Sequence, residues 1–407
     1  MKRHFLFLQG VCSPFFLSLA DRLRADGHGV IKINFNVGDL AYWQRHRAYA
    51  YRGQLPELPD FLEEVYRKEG VTDQILFGDL RPVHVQAVGK AAAFGVRNHV
   101  FEEGYFRPHW ITLEREGVNN NSLLPRDPDW FWRVGGKLQS RIDQVHFNSP
   151  FKIRAMHDVA YHVAGILNPL LFPNYRTHAP VNAAVEYLGY IRRLPMLRFW
   201  KLKDAALIDS LVTQAPPYFV LPLQLNGDAQ IRYHSKFEGM ESVIDFVLAS
   251  FARGAPSSAR LVIKNHPLDM WLVDYHRFIK SLAAHYGLEE RVDYLESGNL
   301  DLLLSKAHGV VTVNSTVGGI SLGLGCPTIC LGDPIYNLPG LTFQGSLDDF
   351  WMEHRMPDAE LFRRFREIVI FATQVNGGFY CDRGIALAVE NSVRILCSDI
   401  SPLESLM

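Results

Sequence analysis

The sequence predicts an α/β fold of two doubly wound, Rossmann-type domains, each alternating strand and helix around a parallel sheet. Three observations carry that prediction. The length of 407 residues is more than one hydrophobic core usually supports. Strand-length apolar runs alternate with amphipathic stretches from residue 4 to 102, and the alternation restarts at 218. In the second series the strands are continuous Val/Ile/Leu runs, as expected where helices cover both faces of a parallel sheet.

Each element has a local reason. "HFLFL" (4–8) reads as the first strand. A signal peptide is the alternative for "MKRHFLFLQG", but the apolar run breaks at Gln9-Gly10 and lacks the length and the cleavage site. Ser13-Pro14 signals a helix start, and Gly27 and Gly29 stop that helix after about Ala25. "VIKINFN" (30–36), a helix around 57–69, "QILFGD" (74–79), a helix over 82–93 and a strand over 97–102 complete the first series. Residues 115–215, rich in Trp, Tyr, Pro and Asn, read as the tail of the first domain plus a connector, helical near 150–167 and 180–193.

The second series runs "YFVLPLQ" (218–224), a helix near 237–252, "RLVIKNHP" (260–267), a helix near 271–286 and "VDYLE" (292–296). A short helix over 299–306, "GVVTVNS" (309–315), a helix over 316–324 and "PTICLG" (327–332) follow, and the last sixty residues read as helical. The expected domains are 1–200, 201–340 and a helical tail, 341–407, packing across both. Two such domains facing a central cleft suggest a GT-B-like architecture, shared by glycosyltransferases and sugar epimerases. Fold alone does not choose between them.

Composition excludes some classes. With 42 basic against 43 acidic side chains the chain lacks the basic excess of a nucleic-acid binder. Five cysteines without CxxC or metal-ligand spacing read as buried reduced thiols of a cytosolic protein. No apolar stretch of ~18 residues is present, so the expectation is a soluble protein, or one peripheral to a membrane. No metal site or cofactor is expected; Asp127-Pro128-Asp129 matches a DxD pattern only by letter and reads as a turn signal.

Four stretches carry candidate chemistry. In "FEEGYFRPHW" an apolar strand ends in Glu102, Glu103 and Gly104, at the carboxyl end where parallel sheets bind ligands; a solvated turn is the plain alternative. Gln9-Gly10 and Asp79 end strands in the same way. In "VVTVNSTVGGISLG" a buried strand runs into Asn314, Ser315 and Thr316, whose helix start offers free N–H groups, a positive dipole end and two hydroxyls to a phosphate. Gly318 and Gly319 would admit close approach of a ligand or a strand; a capped helix in tight packing is the alternative.

In "IKNHPLD", His266-Pro267 follows a buried strand, and the imidazole could hydrogen-bond a phosphate or protonate a leaving group. Lys264 joins the same donor-binding set, its side left open by the end of the strand. In "LPLQLNGDAQIRYHS", Gln224 and Asp228 have the reach for a polyhydroxylated ligand, against the alternative of a solvated turn. A nucleoside monophosphate leaving group could be stabilised by dipole, hydroxyls and histidine without a metal.

Glu102-Glu103-Gly104, His266-Pro267 and Ser315-Thr316 resemble, in this order, the acidic-acidic-Gly, His-Pro and Ser/Thr motifs of bacterial CMP-sugar transferases, GT-B sialyltransferases among them. "FLFLQGVCSPFF", "INFNVGD", "FEEGYFRPHWITLEREGVNNNS", "FPNYRTH" and "LPLQLNGDAQI" together resemble the capsule polysaccharide biosynthesis/export family of the KpsS/LipB type over most of residues 1–335. Val11-Cys12 departs from the small or proline residues expected after Gly10.

The resemblance implies a retaining transferase that moves β-Kdo from CMP-Kdo to phosphatidylglycerol or its lyso form, starting the linker of a Gram-negative capsule. It implies Glu102 or Glu103 at the reacting carbon, Glu102 by analogy, with His266 on the departing CMP phosphate. Gln9, Gly10, Tyr105, Arg107 and Asn119 become acceptor-side candidates, Arg107 because a phosphate ester suits a guanidinium. A sialic acid or Kdo-chain transferase, a non-catalytic export scaffold contacting other capsule proteins, and an epimerase are the rivals. A lipid acceptor implies the cytoplasmic membrane surface. "YIRRLPMLRFWKLK" (190–203) has basic and aromatic residues for it, although Pro195 should interrupt any single helix and an interdomain connector is the alternative.

Overall fold

The computed structural model describes residues 2–44, 46–138, 144–177, 183–214, 216–225 and 235–407. Two compact units emerge. One comprises Met1–Pro125, Lys137–His178 and Glu367–Met407, the other Arg126–Gly136 and Ala179–Arg366.

The first unit contributes β1 (His4–Phe7), β2 (Gly29–Asn34), β3 (Tyr49–Ala50), β4 (Asp73–Phe77), β5 (Arg97–Glu103) and β6 (Trp110–Arg115). The second contributes β7 (Tyr218–Pro222), β8 (Arg260–Lys264), β9 (Val292–Leu295), β10 (Gly309–Thr312) and β11 (Thr328–Cys330). The chain then returns to the first unit with β12 (Gln374–Asn376). The sheet orders are β12-β6-β5-β4-β1-β2-β3 and β11-β10-β7-β8-β9. Strands β1 to β5 run parallel to one another, as do all five of the second sheet. The order 3-2-1-4-5 therefore occurs twice, and the doubly wound α/β reading stands.

Alternation along the strands builds a core on each face. Phe5, Phe7 and Phe101 pack toward helices Phe15–Ala25 and Asp382–Leu396. Leu6, Leu8, Leu76 and Val100 pack toward helices Leu58–Glu69 and Pro82–Ala93. In the second sheet Phe219, Leu221, Leu261 and Ile263 share one core, and Tyr218, Val220, Val262 and Val310 the other.

Three differences from the sequence reading have physical causes. Strand β6, given no element in the sequence reading, pairs antiparallel with β5, setting Glu102 opposite Thr112 and Glu103 opposite Ile111. Gly104 is required there, because a Cβ would fall 2.0 Å from the Trp110 carbonyl oxygen. The sequence reading put boundaries at 200 and 340; the chain visits the second unit over Arg126–Gly136, enters it again at Ala179 and rejoins the first at Glu367. Its closing segment adds β12 antiparallel to β6, a strand too short to announce itself.

Pro195 does not interrupt its helix, which runs unbroken over Ala183–Gln214. Proline removes one backbone donor, but Arg193 on one side of it and Asp204, Ile208 and Leu211 on the other are buried. Those anchors outweigh the lost hydrogen bond. Asp127-Pro128-Asp129 is a helix start, the Asp127 carboxylate accepting from the Asp129 N–H at 2.9 Å. All five cysteines are free, Cys326 and Cys381 buried and the other three partly exposed.

Candidate functional site

In each sheet the strand order reverses between the first and fourth strands of the 3-2-1-4-5 set, β1 and β4 in one and β7 and β10 in the other. Ligands of such sheets bind beyond the carboxyl ends of strands at these switch points. Each unit places predicted residues there.

In the first unit, Glu102 follows Val100 to the face of helix Pro82–Ala93, while Glu103 follows Phe101 to the opposite face. The Glu102 carboxyl lies over Gly78 and accepts the Glu103 N–H at 2.9 Å. Burial pushes its pKa up to about 7; the Glu103 N–H, Arg81 and Arg107 pull it down, and the charge of Glu103 adds a smaller upward push. Like-charge repulsion from Glu103 is thus a secondary cause. Glu103 is paired instead, with Arg154 at 3.2 Å and with the Tyr380 hydroxyl, which donates at 3.4 Å.

Arg81, not singled out from sequence, donates to the Gly10 carbonyl at 2.9 Å and stacks over Phe77. Gln9 donates to the hydroxyls of Tyr161 and Tyr175 at 3.1 and 3.2 Å. Tyr161 also accepts from Asn36 and donates to Asp39. Asp79 accepts from the Val118 N–H and from Asn121. Tyr105 donates its hydroxyl to Glu114 at 2.7 Å and accepts the Asn119 N–H at 2.7 Å, so this hydroxyl braces the hairpin. Arg107 is exposed. Burial pushes the Cys12 thiol up to about 12, so it is neutral and no rival nucleophile.

In the second unit, His266 and Pro267 open a turn closed by the Asp269 N–H on the His266 carbonyl, with proline at its second position. The Leu268 N–H donates to His266 Nδ1 at 3.1 Å, which leaves Nε2 as the N–H donor of the neutral ring. Arg193 holds this turn from beneath. Its guanidinium donates to the carbonyls of Pro267 (2.9 Å), Asp269 (2.8 Å), His266 and Glu296 (both 3.3 Å), and pairs with the Glu296 carboxylate at 3.2 Å.

Arg193 is 2% exposed, so it is no part of a basic surface; Arg192, Arg198, Lys201 and Lys203 of the same stretch are exposed. Lys264 is buried, donates to the Asn265 carbonyl at 3.4 Å, and has its pKa lowered by burial and by Arg193. Asn265 donates to Glu296 and Asp269.

Across the second switch point the Asn314 N–H donates to Gln224 at 3.2 Å. Ser315 caps helix Thr316–Gly323 by accepting the Val317 N–H at 3.2 Å, which leaves its own O–H to donate. The room expected around Gly318 is taken by Tyr336, whose hydroxyl would lie 2.2 Å from a Cβ there and donates to the Ser315 carbonyl. Gly319 stays open. Asp228 lies outside the described residues.

Two Rossmann-ordered units on one chain define a GT-B-like α/β protein. The family model for "Capsule polysaccharide biosynthesis protein" matches residues 72–380, and the chain belongs to that family. It is 36% identical over 380 residues to the Escherichia coli "Capsule polysaccharide export protein KpsS", covering 93% of this chain and 97% of that one. It is 36% identical over 387 residues to the "Capsule polysaccharide modification protein LipB" of Neisseria meningitidis serogroup B, covering 92% and 91%. Among solved structures it matches "Thermosulfurimonas dismutans KpsC, beta Kdo 2,7 transferase" with a TM-score of 0.43 and 13% identity, over 97% of this chain and 100% of that one. So loose a match carries no weight for substrate or mechanism.

Two outcomes test this geometry. Glu102 titrates near 7 in the fold against an ordinary 4.5, so its contribution to stability is whole below 4.5 and is lost as pH rises to 7. Glu102→Gln should therefore match wild type in unfolding free energy at pH 4 and exceed it at pH 8 by about 2–3 kcal/mol; parallel stability–pH curves would contradict the burial. Arg193→Met strands the Glu296 carboxylate and should cost about 3–5 kcal/mol in urea unfolding. An unchanged midpoint would show that the turn holds itself.

Proposed function

We propose that this capsule biosynthesis protein is a retaining glycosyltransferase that moves β-Kdo from CMP-Kdo to phosphatidylglycerol or its lyso form. The observation that carries the reading is Glu102: a desolvated carboxyl at a strand end, over Gly78, with a pKa of about 7 and within electrostatic reach of Arg81 and Arg107. In this reading the bond from the Kdo anomeric carbon to the CMP phosphate breaks, a lipid hydroxyl oxygen bonds to that carbon, and the hydroxyl proton is lost. As nucleophile, Glu102 bonds to that carbon as the phosphate leaves and is then displaced by the lipid oxygen, the two inversions giving retention and the hydroxyl proton passing to the released carboxylate. As base, it takes the hydroxyl proton while the lipid oxygen attacks an ion pair from the face the phosphate left. Glu103 holds Arg154 on the opposite face of the strand.

His266 donates from Nε2 to the departing phosphate, while the helix start at Ser315 and Thr316 receives its charge. Gln224, Asn314 and Asp228 serve donor recognition. Arg107 serves the acceptor phosphate. No helix among the described residues is long and apolar enough to cross a membrane. The reading therefore places the protein peripherally, on the cytoplasmic face of the inner membrane, with the exposed Arg192, Arg198, Lys201 and Lys203 supporting an anionic surface.

The test is incubation with CMP-Kdo, generated in situ, and short-chain phosphatidylglycerol, read by mass spectrometry. One added Kdo is expected, undiminished by EDTA, and lost at least about 10³-fold in Glu102→Gln and His266→Ala. CMP bound without product would move the acceptor elsewhere. Neither product nor CMP binding would favour an export scaffold.

A further inference from the structure

Helix Phe151–Gly165 and the chain following it to Leu171 have two unlike sides. On the inner side Arg154 pairs with Glu103, His157 meets the Tyr42 hydroxyl, and Tyr161 joins Gln9, Asn36 and Asp39. On the outer side Met156, Ile166 and Leu170 are 71%, 72% and 80% exposed, and Val159, Val163 and Leu167 lie open beside them. Spacings of three and four residues put Met156, Val159 and Val163 in one row, opposite Arg154 and Tyr161. Proteins that stay in water seldom expose so continuous an apolar row.

The charges beside this row choose its partner. Asp158 is the one acid in residues 151–177; it lies at the helix flank, 3.5 Å from His162 and off the apolar row, and its charge acts on Arg154 and Cys12. Lys152 and Arg176 are exposed at the two ends of the segment. An aliphatic row with cations at its ends and no acid on its open side suits a flat, anionic, apolar surface.

We propose that the outer face of residues 151–171 docks on a bilayer of anionic phospholipid. The inference rests on the reading that the acceptor is a phospholipid, and adds the surface by which the chain reaches it. A helix with its side chains is about 10–12 Å across. A headgroup beneath the docked helix is thus about one helix diameter from the side that presents Arg154 and Tyr161, and need leave the bilayer only that far.

The experiment is flotation of the full chain with phosphatidylglycerol vesicles and with phosphatidylcholine vesicles, for wild type and for Met156→Glu/Ile166→Glu/Leu170→Glu. Wild type should partition onto phosphatidylglycerol more strongly than onto phosphatidylcholine. The triple variant should lose at least tenfold of that partition at unchanged Tm, while still modifying short-chain phosphatidylglycerol in solution. Equal partition of variant and wild type overturns the docking face, as does a wild type that binds no vesicle. A wild-type dimer that the substitutions turn into a monomer, with no vesicle binding, overturns it in favour of a second copy. Wild-type docking without sugar transfer to either acceptor retains the docking face and overturns the transferase reading alone.

Discussion

A strand sends successive side chains to opposite faces of its sheet, and at the end of β5 this separates two carboxylates that adjoin in sequence. Glu102 is left against Gly78 with a single backbone N–H, while Glu103 meets Arg154 and Tyr380. One geometric rule thus gives two identical residues two different surroundings. The antiparallel pairing with β6 holds the register, and a slip of one residue would exchange their surroundings. Gly104 belongs to the same device, since only a residue without Cβ lets the chain turn past the Trp110 carbonyl.

The second unit orders its loop by a buried cation. Carbonyls of the His266–Asp269 turn point away from any strand partner, and Arg193 gathers three of them with Glu296 into one guanidinium. A guanidinium suits this task because its donors are planar and fixed, so one side chain sets the orientation of several peptide groups together. Lys264, beside it, is held toward neutrality by the same burial. The His266 ring is then oriented by the Leu268 N–H, a bond available only when the turn has its present shape.

Strands were legible wherever burial on both faces demanded a continuous apolar run, which is why β7, β8 and β10 fall where their sequences suggest. Ser315 was legible as a cap because capping is local. Arg193 was misread for the opposite reason. Its neighbours along the chain are basic and aromatic, but its partners lie more than seventy positions away. Arg81, Arg154 and Tyr161 escaped notice in the same way, each being defined by contacts between distant segments. Gly318 looked like room for a ligand, and only the position of Tyr336 shows who occupies that room.

The first sheet also contains its own control for the meaning of Glu102. At the amino ends of the strands Asp73 is fully buried, and hydrogen bonds and charge from His99 and Arg3 hold its pKa below the ordinary carboxylate value against the pull of burial. Arg97 adds a third partner at 3.0 Å. The fold can therefore surround a buried acid with cations when ionisation at neutral pH is to cost nothing. At the carboxyl ends it leaves Glu102 without an ion pair among the described residues, with Arg81 and Arg107 near enough to lower its pKa and not near enough to fix its charge. A carboxyl poised between its two protonation states is costly for stability and useful for proton transfer or attack on carbon. It sits at the end of the sheet where parallel strands bind ligands, with the paired Asp73 at the other end, and this is why the proposed transferase gives the chemical role to Glu102.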